Sequence, residues 1–238
     1  MGFRDLTLTE QLLIARRGTS YFAQRLGELS DEQLDGRTLL AGWSRKHLLA
    51  HVGYNAAALC RLMDWAATGN ETPMYESACQ RAREIDEGAT LNASALRNLF
   101  GHSVARLDER WRHLPAAAWS AEVLTAQGRV VPASETIWMR TREVWIHAVD
   151  LANDGRFGDF PGVVNSSLLE DVMGMWKKAG TGVGLLVAVV GDSPRLAADS
   201  KITTTVTGEL PAVTRWATGR GSVGVDIEGE ITPPPRWL

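Results

Sequence analysis

The stretch SETIWMRTREVWIHAVDL, residues 134–151, reads as a helix that needs others around it. Its apolar stripe, Met139, Ile146 and Leu151, also carries Glu143 and His147. Residues four apart on a helix lie on one face, one turn apart, so this carboxylate and imidazole are placed to grip a single divalent ion. Both sit on the side that the helix buries, where an unpartnered carboxylate costs several kcal/mol. A helical bundle whose ligands project inward from facing helices meets both demands.

Working outward, the spacing predicts three more long helices. The first spans residues 8–28, opened by a capping box of Thr7 and Glu10, with Leu8, Leu12, Ala15, Tyr21, Phe22 and Leu26 as its stripe. The second runs from the cap Ser44 to about residue 69, with Leu48, His51, Val52, Asn55, Leu59, Leu62 and Met63 facing the core. A third covers about 94–114 through Leu96, Leu99, Phe100, Ser103, Leu107 and Trp111. The helix of the opening stretch is the fourth and starts near Pro132. Residues 70–91, with Pro73 and mixed charge, are expected to be a long connection, a feature more often functional than accidental in a compact domain.

Past Asn153-Asp154-Gly155 the pattern changes. A helix is expected over 161–178, strands over 185–190 and 202–207, a short helix over 209–218 and a last strand from Val223 to Ile231. The expected fold is therefore α+β, with a metal-binding four-helix bundle domain over 1–154 and a small α+β domain over 155–238.

Composition narrows the partners. A formal net charge of −3 leaves no electrostatic footprint for nucleic acid or an anionic membrane surface. The first residues lack a signal-peptide apolar core, and no stretch approaches the roughly 18 apolar residues of a membrane span, so a cytoplasmic location is expected. Two cysteines, Cys60 and Cys79, are too few for a disulfide framework.

His51, on a second buried face, can join Glu143 and His147 in a three-ligand set. Zinc accepts imidazole nitrogen and carboxylate oxygen at about 2.0–2.2 Å, and three protein ligands leave a position for water or substrate. His47, four before His51, is the rival ligand, although its place in the first turn after Ser44 suits a local hydrogen-bonding role. His102 and His113 have nothing nearby to complete a site, and Asp150 is placed either to orient the His147 ring or to sit on the surface. Cys60 falls on roughly the opposite side of the helix from His51, whereas Cys79 lies in the long connection. Arg81 and Arg83 in that connection, and Arg220 in a Gly-Arg-Gly turn, offer guanidinium forks to a carboxylate substrate. The order Arg142-Glu143 rules out the His-Glu-x-x-His zinc-protease motif.

Several segments together carry a resemblance. GWSRKHLLAHV at 42–52 and the Glu143–His147 segment resemble the DinB-like metal-binding bundle family. With YNA at 54–56, TPMY at 72–75, HSVARLD at 102–108, LTAQGR at 124–129, PASE at 132–135 and PPRWL at 234–238, the chain is similar to the mycothiol-dependent maleylpyruvate isomerases within it. The resemblance covers nearly the whole length. It implies zinc on His51, Glu143 and His147, and substrate-side arginines at Arg81, with Arg83 as the local alternative, and Arg220. It further implies a cis–trans isomerase that converts maleylpyruvate to fumarylpyruvate in the gentisate pathway of aromatic catabolism. Mycothiol would be its thiol cofactor, adding reversibly through a zinc-bound thiolate and regenerating. The implied partners are a small dicarboxylate and a low-molecular-weight thiol, with the protein a monomer. A zinc-dependent mycothiol S-transferase is the alternative, distinguished by stoichiometric consumption of the thiol.

Overall fold

Thr7 and Glu10 close the expected capping box: the Glu10 backbone N–H donates to Thr7 Oγ1 at 3.3 Å and the Thr7 N–H to Glu10 Oε2 at 2.8 Å. That cap opens α1, Leu8–Gly27, the first of seven helices in the computed structural model, which describes residues 2–197, 201–230 and 233–237. After it come α2 (Arg45–Thr68), α3 (Ala78–Gly88), α4 (Ala93–His113) and α5 (Glu135–Asp150). Then follow α6 (Gly162–Ala179) and α7 (Leu210–Ala217). The strands are β1 (Glu122–Leu124), β2 (Val130–Pro132), β3 (Leu185–Val189), β4 (Arg195–Leu196), β5 (Thr204–Gly208) and β6 (Val225–Gly229). The fold is α+β, and the chain divides into two compact units, Thr7–Gly155 and Met1–Leu6 with Arg156–Leu238.

In the first unit α1, α2, α4 and α5 form the bundle, with α2 against α4 and α1 against α5 as its main helix pairs. Every expected core residue of α2 is buried, from Leu48 and His51 through Val52, Asn55, Leu59 and Leu62 to Met63. The α1–α5 seam closes over Gly18, where a Cβ would lie 2.5 Å from Trp145 Nε1. Trp145 stacks on Tyr21 with ring centroids 5.2 Å apart and donates to the Ile14 carbonyl at 3.3 Å. Arg45, in the first turn of α2, donates to the Leu151 carbonyl at 2.7 Å and the Ala152 carbonyl at 3.1 Å, tying the start of α2 to the end of α5.

Two expectations need correction here. Residues 70–91 are not one long loop: Ser77 accepts from the Gln80 N–H and opens α3, which buries only Ile85 and Gly88 and so shows almost no apolar stripe. Near Pro132 the chain is still in strand; β1 and β2 pair antiparallel, Glu122 opposite Pro132, and α5 begins three residues later at Glu135.

In the second unit the sheet order is β4-β3-β5-β6, with β3 and β5 parallel and the other pairs antiparallel. Leu185, Val187 and Val189 of β3 are buried, as are Thr204 and Val206 of β5. Trp176 of α6 meets Trp216 of α7 edge to face at 6.0 Å. Ile231, at the end of the expected last strand, lies outside the described residues.

Candidate metal centre

Helix α2 brings His51, and α5 brings Glu143 and His147, to one point in the first unit. Glu143 Oε2 lies 2.9 Å from His51 Nε2 and 3.0 Å from His147 Nε2, and the three ligand atoms all fall within 4.8 Å of one another. Among the described residues no further His, Cys, Asp or Glu joins the set. Two imidazoles and one carboxylate are the donor types that zinc takes in a site with an open position. On chemistry and spacing, the residues fit such an ion.

The surroundings orient each ligand. Asp150, fully buried, accepts from His147 Nδ1 at 2.8 Å, which turns Nε2 toward Glu143. Trp43 packs edge to face on the His51 ring at 5.3 Å. Burial pushes the Glu143 carboxyl up, but the two imidazoles overcome it and hold the group well below the usual carboxylate range. Burial pulls His147 down, yet its hydrogen bonds to Asp150 and Glu143 prevail and raise it to about 9. For His51 burial wins, and its pKa falls.

Arg81, in the first turns of α3, places Nη2 3.4 Å from His51 Nδ1. Arg83 points elsewhere: its side chain is 69% exposed, 3.8 Å from Glu87. Of the two arginines that the sequence left open, Arg81 is the one beside His51. His47 does not join the set; its Nδ1 lies 2.7 Å from Ser44 Oγ and completes the cap of α2. His102 is exposed, and exposed His113 has Nδ1 2.9 Å from the Glu109 carbonyl of its own helix. Cys60 is buried with its thiol pushed up to about 11 by burial, and Cys79 is exposed on α3. Arg220 belongs to the second unit, in the turn after α7. Gly219 and Gly221 on either side have φ of 79° and 99°, left-handed values that glycine adopts without strain. Its Nη1 donates to the Thr218 carbonyl at 2.5 Å.

Three residues near the site escaped the sequence reading. Arg140, buried one turn before Glu143, donates from Nη1 to the Val52 carbonyl at 2.8 Å and to Asn55 Oδ1 at 2.9 Å, locking α5 to α2 beside His51. The signal was Asn55 itself, a polar side chain on a buried stripe that requires a partner. Tyr75 lies in the turn between α2 and α3, where no periodicity marks it, and Arg61, on a half-buried position of α2, reaches that turn through the Met74 carbonyl.

Among the described residues no helix is long and apolar enough to cross a membrane. The family model described as the mycothiol maleylpyruvate isomerase N-terminal domain matches residues 15–152. A crystal structure of the mycothiol-dependent maleylpyruvate isomerase is 51% identical over 100% of both chains, with a TM-score of 0.97. A second, of a histidine-to-alanine mutant of that isomerase, is 50% identical over 100% of both chains, also at 0.97. No curated protein sequence matches the chain. With more than half of its length matched by that family model, the chain belongs to the mycothiol maleylpyruvate isomerase N-terminal domain family.

Proposed function

We propose that the chain is a cis–trans isomerase that converts maleylpyruvate to fumarylpyruvate in gentisate breakdown, with zinc as its metal and mycothiol as its thiol cofactor. The observation that carries this reading is the His51, Glu143 and His147 set with the Arg81 guanidinium against the same imidazole. The solved relatives that share half of its residues are named mycothiol-dependent maleylpyruvate isomerase, which supports the substrate and the thiol of this reading. When bound, the metal and thiol together supply a thiolate nucleophile whose reversible addition makes the alkene bond transiently single.

The chain's own residues do the rest. His51 and His147 through Nε2, and Glu143 through its carboxylate, hold the cation, while Asp150 fixes the ring of His147. With a cation held on Nε2, neutral His51 would carry its ring hydrogen on Nδ1 and would no longer accept from Arg81. The guanidinium is then available to a substrate carboxylate. Arg220 is assigned to the second carboxylate, an assignment that rests on the family resemblance.

Fumarylpyruvate formation, followed by absorbance with and without catalytic mycothiol, tests the reading. Conversion that depends on the thiol without consuming it supports the isomerase, and stoichiometric loss of thiol would replace it with an S-transferase. Arg220→Ala is expected to lose most turnover while retaining its metal. Unchanged turnover and substrate affinity in that variant would remove Arg220 from the site.

A further inference from the structure

Between α1 and α4 the bundle keeps a cavity of about 270 Å³, and Arg140 of α5 lines its inner end. Val104, Leu107 and Trp111 give it apolar walls, and the one donor of the Trp111 indole is turned away, 3.4 Å from Thr136 Oγ1. Arg16 and Asp108 stand at the rim, where Asp108 accepts from Arg16 Nε and from Arg112 Nε, each at 2.7 Å. Two guanidinium groups thus neutralise that carboxylate, which leaves it little repulsion for an incoming anion.

Arg140 is only 1% exposed, and its Nη1 donates to the Val52 carbonyl and to Asn55 Oδ1, both neutral acceptors. Its Nη2 is buried with no hydrogen-bond partner among the described residues. Burial lowers the guanidinium's pKa to about 10, so it is still a cation at neutral pH. Glu143, the carboxylate whose charge it feels, is already committed to two imidazoles. A buried cation with an unmet donor costs free energy, and folded proteins leave few such groups without a reason.

We propose that this cavity is a binding site for a small aromatic monocarboxylate, whose carboxylate accepts from Nη2 of Arg140 and whose ring lies against Val104, Leu107 and Trp111. One unmet nitrogen serves one carboxylate, whereas a phosphate or a dicarboxylate would bring charge that the apolar walls cannot answer. A cavity of about 150 Å³ takes up benzene, so this one has room for a ring and its carboxylate. The site is distinct from the metal centre, because α1 and α4 supply none of the three ligands. It therefore does not depend on the isomerase reading.

Benzoate, titrated into the metal-loaded protein and followed by amide and arginine side-chain nitrogen resonances, tests the proposal. Saturable shifts are expected at the amides of Thr19, Gly101 and Val104, with the Arg140 side-chain signal following the same curve. Benzamide keeps the shape without the charge and is expected to bind at least about 10-fold more weakly, the scale of a hydrogen bond between charged groups. Arg140→Gln removes the cation and is expected to abolish the preference for benzoate. No saturable response at these amides, as when water alone serves Nη2, would overturn the proposal. So would shifts confined to the surroundings of His51 and Glu143, equal binding of benzamide, or an Arg140 signal that stays still. The last three are read on the wild type, so the test stands even if Arg140→Gln fails to fold.

Discussion

At the scale of single residues, the metal-free centre holds a definite set of protons. At neutral pH Glu143 is ionised, His147 with its pKa near 9 is protonated, and His51 is neutral. The contribution of His147 to stability, raised in the fold, is complete below its ordinary pKa of about 6.5 and fades as pH climbs through about 9. The contributions of Glu143 and His51, both lowered, are present above their ordinary values and vanish as pH falls through the lower folded ones. A cation must therefore displace the His147 proton. Zinc uptake near pH 7.5 is expected to release about one proton per ion, and affinity to rise with pH until about 9. Calorimetry in buffers of different ionisation enthalpy measures this directly, and uptake with no proton release would contradict it. The clustering of the candidate ligands was legible in the sequence because a buried stripe tolerates a carboxylate or imidazole only with a partner, and i, i+4 spacing named one. Tyr75 was not, because a turn residue acquires its neighbours from two different helices.

At the scale of elements, periodicity marked what was buried and missed what was not. The helices α1, α2, α4 and α5 each carry a continuous apolar face, and their expected spans fall within a few residues of those observed. Helix α3 buries two residues of eleven, so nothing in its sequence distinguishes it from a charged loop. The β1–β2 hairpin is three residues to a strand, too short for alternation to register. Two glycines make the role of helix packing measurable. A methyl at Gly18 would sit 2.5 Å from an indole nitrogen that is already committed to the Ile14 carbonyl, whereas one at Gly101 of α4 meets nothing within 4 Å. Alanine is favoured over glycine inside a helix by about 1 kcal/mol, and overpacking costs about 1–3 kcal/mol. Gly18→Ala is thus expected to destabilise the protein by a net of up to about 2 kcal/mol, and Gly101→Ala to stabilise it by up to about 1 kcal/mol. Urea unfolding reads both; a stabilised Gly18→Ala would mean that the α1–α5 seam is looser than its geometry.

At the scale of the whole molecule, every proposed metal ligand comes from the unit Thr7–Gly155, and from two of its helices. An ion bound only by the folded form adds stability as RT ln(1 + [L]/Kd), about 4 kcal/mol at a thousandfold excess over Kd. Metal-free, the three ligands still have partners: Glu143 lies between two imidazoles, and Asp150 holds His147. The site is therefore preorganised, and chelation is expected to weaken the bundle without unfolding it. The unfolding midpoint should rise steadily with free zinc, and hydrogen exchange in α2 and α5 should slow as the metal binds. His51→Ala separates this from nonspecific zinc effects, because it deletes one ligand while Glu143 and His147 remain paired on α5. In that variant the midpoint is expected to lose most of its dependence on zinc. If wild type and variant responded to zinc alike, the ion would be acting somewhere other than the point where α2 and α5 meet.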